Sequence, residues 1–131
     1  MTRKWLLAIS AVGFGLAAFG HLRAILLHGW LPYRFAPLPI NLFWTMLAIL
    51  DLLAACLLLW RPRFGLATGL LIMASDVAVN FYATRLLGPD GWSFDAARQV
   101  QALFFGFLLG SVHLTWSDPK SSDNIAQRLF R

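Results

Sequence analysis

The stretch NLFWTMLAILDLLAACLLLWRPRFGLATGLLIMASDVAVNFYAT, residues 41–84, contains two apolar runs interrupted only by Arg61-Pro62-Arg63. Each run is about the 20 residues that a helix needs to cross a bilayer core. Three residues allow nothing but a tight reversal, so the two runs read as an antiparallel helical hairpin. Spanning strands would need ten-residue segments of alternating polarity bounded by turns, and none is present.

Two more apolar runs flank the hairpin, giving spans at 5–27, 41–60, 64–84 and 96–116. The segment HGWLPYRFAPLPI links the first two. Its Pro32, Pro37 and Pro39 oppose a continuous helix, and Trp30 and Tyr33 suit a headgroup zone. Gly88-Pro89-Asp90-Gly91 signals a turn before the last span, and Trp92 follows it. Residues 117–131 form a polar tail in which Ile125, Leu129 and Phe130 could make a short interfacial helix. The fold expected is all-α: a single domain, 1–131, built as an integral membrane four-helix transmembrane bundle.

Composition agrees. Of 131 residues 59% are hydrophobic and only 13% charged, with six acids, all Asp. A soluble domain of this length has too little interior for that much apolar surface. A disordered chain and a nucleic-acid arm are excluded despite the net charge of +5. Arg3, Lys4, Arg61, Arg63, Lys120, Arg128 and Arg131 fall on one side, against Arg23, Arg34, Arg85 and Arg98 on the other. Seven against four places both termini in the cytoplasm, in a bacterial inner membrane. The first span reads as a retained helix and not a cleaved leader, because its apolar run continues past His21 without an A-x-A site. Cys56 is the only cysteine, which excludes an intrachain disulfide, and it reads as a small packing residue.

The informative residues are polar ones at membrane depth. Asp51 and Asp76 lie near the midplane, where an Asp costs about 2.5–3.5 kcal/mol on insertion scales. Helical spacing puts Asn80 one turn beyond Asp76 on the same face. His21 and Gln99 belong to the outer half, and His113 to the inner end. In each span these residues share a stripe with small ones. The second pairs Trp44, Ala48 and Ala55 with Asp51. The third adds Gly65, Gly69 and Ala83 to Asp76 and Asn80. The fourth aligns Gln99, Ala102, Gly106, Gly110 and His113. The first aligns Ser10, Phe14, Ala17, His21, Ala24 and His28. Small residues let helices approach closely in lipid, so the stripes are expected to face one another, and the two G-x-x-x-G steps to serve packing or dimerisation. The expectation is an outward-opening cavity with Asp51 and Asp76 at its floor, and with His21, Asn80, Gln99 and Trp44 as ligand-binding residues.

Several chemistries need such parts. A quinone or sterol-like molecule takes an apolar cavity with few polar contacts. Acid–base catalysis would use Asp51 or Asp76 as the proton donor. Haem fits poorly, since His21 and His28 lie about 10 Å apart on one helix and cannot sandwich an iron. No spacing motif supports a metal site. A small transporter, or a scaffold with the polar groups as interhelical glue, uses the same residues differently.

The runs GFGLAAFGHLRAI, LAILDLLAACLLLWRPRFG and LATGLLIMASDVAVN resemble the small four-helix DoxX/DoxD-like membrane proteins over residues 10–116. That family tends to carry Gly-x-x-His in the first span, an acidic-Leu-Leu element with a basic turn in the second, and an Asn closing the third. His21, Asp51 and Asn80 are the matching polar residues, with Gly20 directly before His21 and Ala18 three residues before it. The chain departs by having Asp51 where Glu is expected and by adding Asp76. The resemblance implies a membrane bundle. Because some relatives are subunits of a thiosulfate:quinone oxidoreductase, it also implies quinone binding within a redox complex. A weaker likeness, over the last three spans, is to the EXPERA proteins, which include the emopamil-binding sterol isomerase. There an acid in one middle helix faces an acid in the next, although the fuller acidic set of those isomerases is incomplete here.

Overall fold

A computed structural model describes residues 3–88 and 95–116, with side chains omitted at 95–97. The Pro89-Asp90-Gly91 turn, Trp92 and the tail 117–131 lie outside the described residues. The chain forms α1 (Arg3–His28), α2 (Leu38–Trp60), α3 (Pro62–Leu87) and α4 (Asp95–Trp116), with no strand among the described residues. Three of these, α1 to α3, are long and apolar enough to cross a membrane. At 1.5 Å per residue, the 22 residues of α4 extend about 33 Å.

Local chemistry explains the boundaries. Leu38 and Pro39 fall inside α2, earlier than expected, because proline is tolerated in a first turn whose N–H groups have no helical partner. Pro37 carries the carbonyl that receives the N–H groups of Ile40 and Asn41, each at 3.0 Å. Arg61 ends α2 and begins α3: its N–H donates to Leu57, its carbonyl accepts from Gly65, and Pro62 opens the next helix. The basic turn is thus a single-residue break.

The helices pack in chain order, α1 on α2, α2 on α3 and α3 on α4, while α1 and α4 meet only sparsely. Phe14, Leu47, Leu58, Leu66 and Leu108 are fully buried and hold the four together. Gly65 lets the hairpin close, since a Cβ there would sit 2.3 Å from the backbone nitrogen of Leu58. Gly69 receives the ring of Phe14 in the same way. The outer surface is apolar, with Leu16, Phe19, Leu26, Leu59, Phe64 and Leu103 all exposed. Cys56 belongs to that outer surface and not to the packing.

The fourth helix is rotated from its expected register. Leu108, Ser111 and Thr115 are its buried residues, while Ala102, Gly106, Gly110 and His113 are exposed. A Cβ on Gly106 or Gly110 would meet nothing within 4 Å, so this G-x-x-x-G step makes no contact within the chain.

Candidate functional site

The sparse meeting of α1 and α4 leaves a cavity of about 1030 Å³ between the helices. Phe14, Ala17, His21 and Ala24 line it from α1, Trp44 and Asp51 from α2, Asp76 and Asn80 from α3, and Gln101 and Phe104 from α4. These positions recur at three- and four-residue steps, so each helix contributes one face. Leu16 and Val100 also line the cavity while remaining exposed on the outer surface. Its mouth therefore opens sideways between α1 and α4.

Of the residues expected to bind, His21, Trp44, Asp51, Asp76 and Asn80 all line this one space. Gln99 does not: it is exposed, and Gln101 takes the inward place. The glycine stripe of α4 is not its inward face. The correct signal was the run Gln101, Phe104, Leu108, Ser111 and Thr115, in which large apolar residues and hydroxyls keep helical spacing. His113 lies at the opposite end of α4, exposed.

A hydrogen-bond network ties α2, α3 and α4 at the cavity wall. The indole N–H of Trp44 donates to Asn80 Oδ1 at 2.8 Å. An indole has a donor and no acceptor, so this bond fixes which end of the Asn80 amide is oxygen. Asn80 Nδ2 must then point the other way, and it donates to Gln101 Oε1 at 2.9 Å and to Asp76 Oδ1 at 3.2 Å. That in turn orients Gln101, whose Nε2 donates to Asp76 Oδ2. Both oxygens of Asp76 thus accept from N–H groups, the bonding pattern of a carboxylate. A single donor-only ring sets the polarity of the whole chain of bonds.

Asp51 differs. It is 3% exposed and lines the cavity, yet no described residue donates a hydrogen bond to it. No ion pair joins Asp51 or Asp76 to a described Lys or Arg. Arg98 also lines the cavity, and its Nη1 donates to Thr84 Oγ1 at 2.9 Å. Thr84 is eight residues beyond Asp76 along α3, about 12 Å towards the end of the bundle that carries the α1–α2 loop.

The α1–α2 loop closes this end. Tyr33, expected at the headgroup level, turns inward: its hydroxyl lies 2.7 Å from His21 Nδ1. Burial, and then the negative charge of Asp76, push the Tyr33 phenol up to about 12, so it stays protonated. Asn41 sets the loop path. It is buried, accepts from the Tyr33 N–H and donates to the Leu31 carbonyl, each at 3.1 Å. Gly29 at φ +80° and Leu31 at φ +58° supply the left-handed backbone that the reversal requires. The rings of Tyr33, Phe35 and Trp44 then form a cluster over the cavity, with Tyr33 and Trp44 centroids 5.3 Å apart. Among the described residues, no three His, Cys, Asp or Glu side chains converge as a metal site.

No family model matches the chain, and no curated protein or solved structure matches it significantly.

Proposed function

We propose that this chain is an integral membrane protein of the bacterial inner membrane, with four spanning helices and cytoplasmic termini. In this reading the lateral cavity binds a small lipophilic molecule. The observation that carries it is the cavity itself: about 1030 Å³ enclosed by apolar walls, polar on one side and open between α1 and α4. Sites for small ligands combine an apolar enclosure of roughly 300–1,000 Å³ with a few placed polar groups. A mouth bounded by Leu16 and Val100 faces the region that lipid would occupy, so a lipophilic ligand could enter without passing through water. The resemblance to DoxX-like proteins points to a quinone and to a role as a subunit of a redox complex. Asp51 and His21 would meet the ligand's polar head, and Phe14 and Phe104 its apolar body.

One observation favours a second reading. Asp76 is held as an acceptor by two amides, whereas Asp51 has no donor among the described residues. Two carboxyl groups in unlike environments are what an acid–base catalyst requires. Asp51 would then be the proton donor of a membrane isomerase. A scaffold or small transporter would leave the pocket without a specific ligand.

The test is equilibrium dialysis of a benzoquinone bearing a ten-carbon tail against the protein in nanodiscs. Saturable binding is expected above that of empty discs. The double substitution Ala17→Phe and Ala24→Phe fills the wall on α1 and should weaken it at least ~10-fold, a loss of about 1.4 kcal/mol. Binding that never saturates, or that ignores the filled wall, contradicts the reading.

A further inference from the structure

The charges lining the cavity specify a head group, an inference that rests on the pocket reading above. The Trp44 indole forces both amides of the network to present N–H groups to Asp76, which leaves that residue bonded as a carboxylate. Asp51 lines the same cavity from α2, buried and without a donor among the described residues. Two acids therefore share one low-dielectric space. Arg98 also lines the cavity, and its Nη1 donates to Thr84, about two turns along α3 from Asp76. Buried charge is costly unless it is paired. Among the described residues no Lys or Arg pairs with either acid, and the charge that would pair with them is positive.

The rings around it suit the same partner. Tyr33, Phe35 and Trp44 cluster at the loop end of the cavity, and Phe14 and Phe104 meet edge to face at 5.2 Å along its apolar wall. Aromatic faces attract cations, and more strongly when the cation is desolvated. Carboxylates combined with aromatic rings and a sideways mouth make a receptor for a charge that travels in lipid. We propose that the cavity selects a lipophilic cation, a hydrophobic amine or quaternary onium, with its charge between Asp51 and Asp76 and its apolar substituents against the rings.

Tetraphenylphosphonium and tetraphenylborate test this directly, since they share a shape and differ in the sign of charge. Each is titrated into the protein in zwitterionic nanodiscs, with empty discs subtracted. The phosphonium is expected to bind saturably, one per chain, at least ~10-fold more tightly than the borate. Asp51→Asn should abolish that preference and Asp51→Glu should keep it. If Asp51→Asn fails to fold, the cation–anion comparison on the unaltered protein decides alone. Equal binding of the two ions, or a preference unchanged in folded Asp51→Asn, overturns the proposal. If the ten-carbon benzoquinone binds and the phosphonium does not, the pocket stands and the cation assignment falls. If none of the three probes binds saturably, both fall.

Discussion

Gly65→Ala is expected to destabilise the protein by about 3 kcal/mol, at the upper end of what overpacking usually costs. The methyl group would sit 2.3 Å from the Leu58 nitrogen and 2.5 Å from the Leu57 carbonyl carbon. Those are backbone atoms of a helix, so no rotamer change relieves the clash, and α2 and α3 must separate along their length. Gly69→Ala meets the end of the Phe14 ring instead, which can shift, and should cost less. Gly106→Ala and Gly110→Ala meet nothing and should be neutral or slightly stabilising, since alanine is the better helix former. Reversible unfolding in mixed detergent micelles measures all four. A loss of stability at Gly106 or Gly110 comparable to that at Gly65 would mean that α4 is packed through its glycine face after all.

Asn80→Leu removes the centre of the polar network. Three groups lose a partner: the Trp44 indole N–H, Gln101 Oε1 and one oxygen of Asp76. Orphaned groups in a dry core cost about 1–3 kcal/mol each, which would sum to several. Polar contacts between membrane helices average only about 0.6 kcal/mol, because the alternative state also finds partners. These are contacts between membrane helices, so the smaller figure governs. The expected loss is about 2 kcal/mol, with α4 loosened first, because Asn80 and Gln101 join it to α3. Hydrogen exchange should show faster opening of the first half of α4 and little change in the α2–α3 hairpin. Uniform destabilisation of all four helices would contradict this account.

The hairpin and the two flanking helices were readable because apolar length is a one-dimensional signal that three intervening residues cannot hide. Asp51, Asp76, Asn80 and His21 were readable as a group for a related reason. A polar residue at membrane depth must turn inward, and helical spacing then says which neighbours turn with it. The rotation of α4 was not readable from small residues. Glycine in lipid marks a surface that another helix could approach, without saying whether one does. The inward turn of Tyr33 was hidden too. It depends on two positive φ angles and on the clamp from Asn41, which no periodicity records. Gln101 is masked in the sequence by Gln99, two positions away and so on the other side of the helix.

The bundle is left open between its first and last helices, with one acid fixed by amides and a second facing the space without a donor among the described residues. The site is built around Asp51, and the account fails if nothing binds there. The most direct measurement is native mass spectrometry of the protein released from a mild detergent, followed by solvent extraction of whatever accompanies it. The account predicts a stoichiometric lipophilic molecule on the protein, absent from folded Asp51→Asn. Protein that carries nothing, with Asp51→Asn as stable as its parent, would contradict it and leave the cavity as a gap between helices.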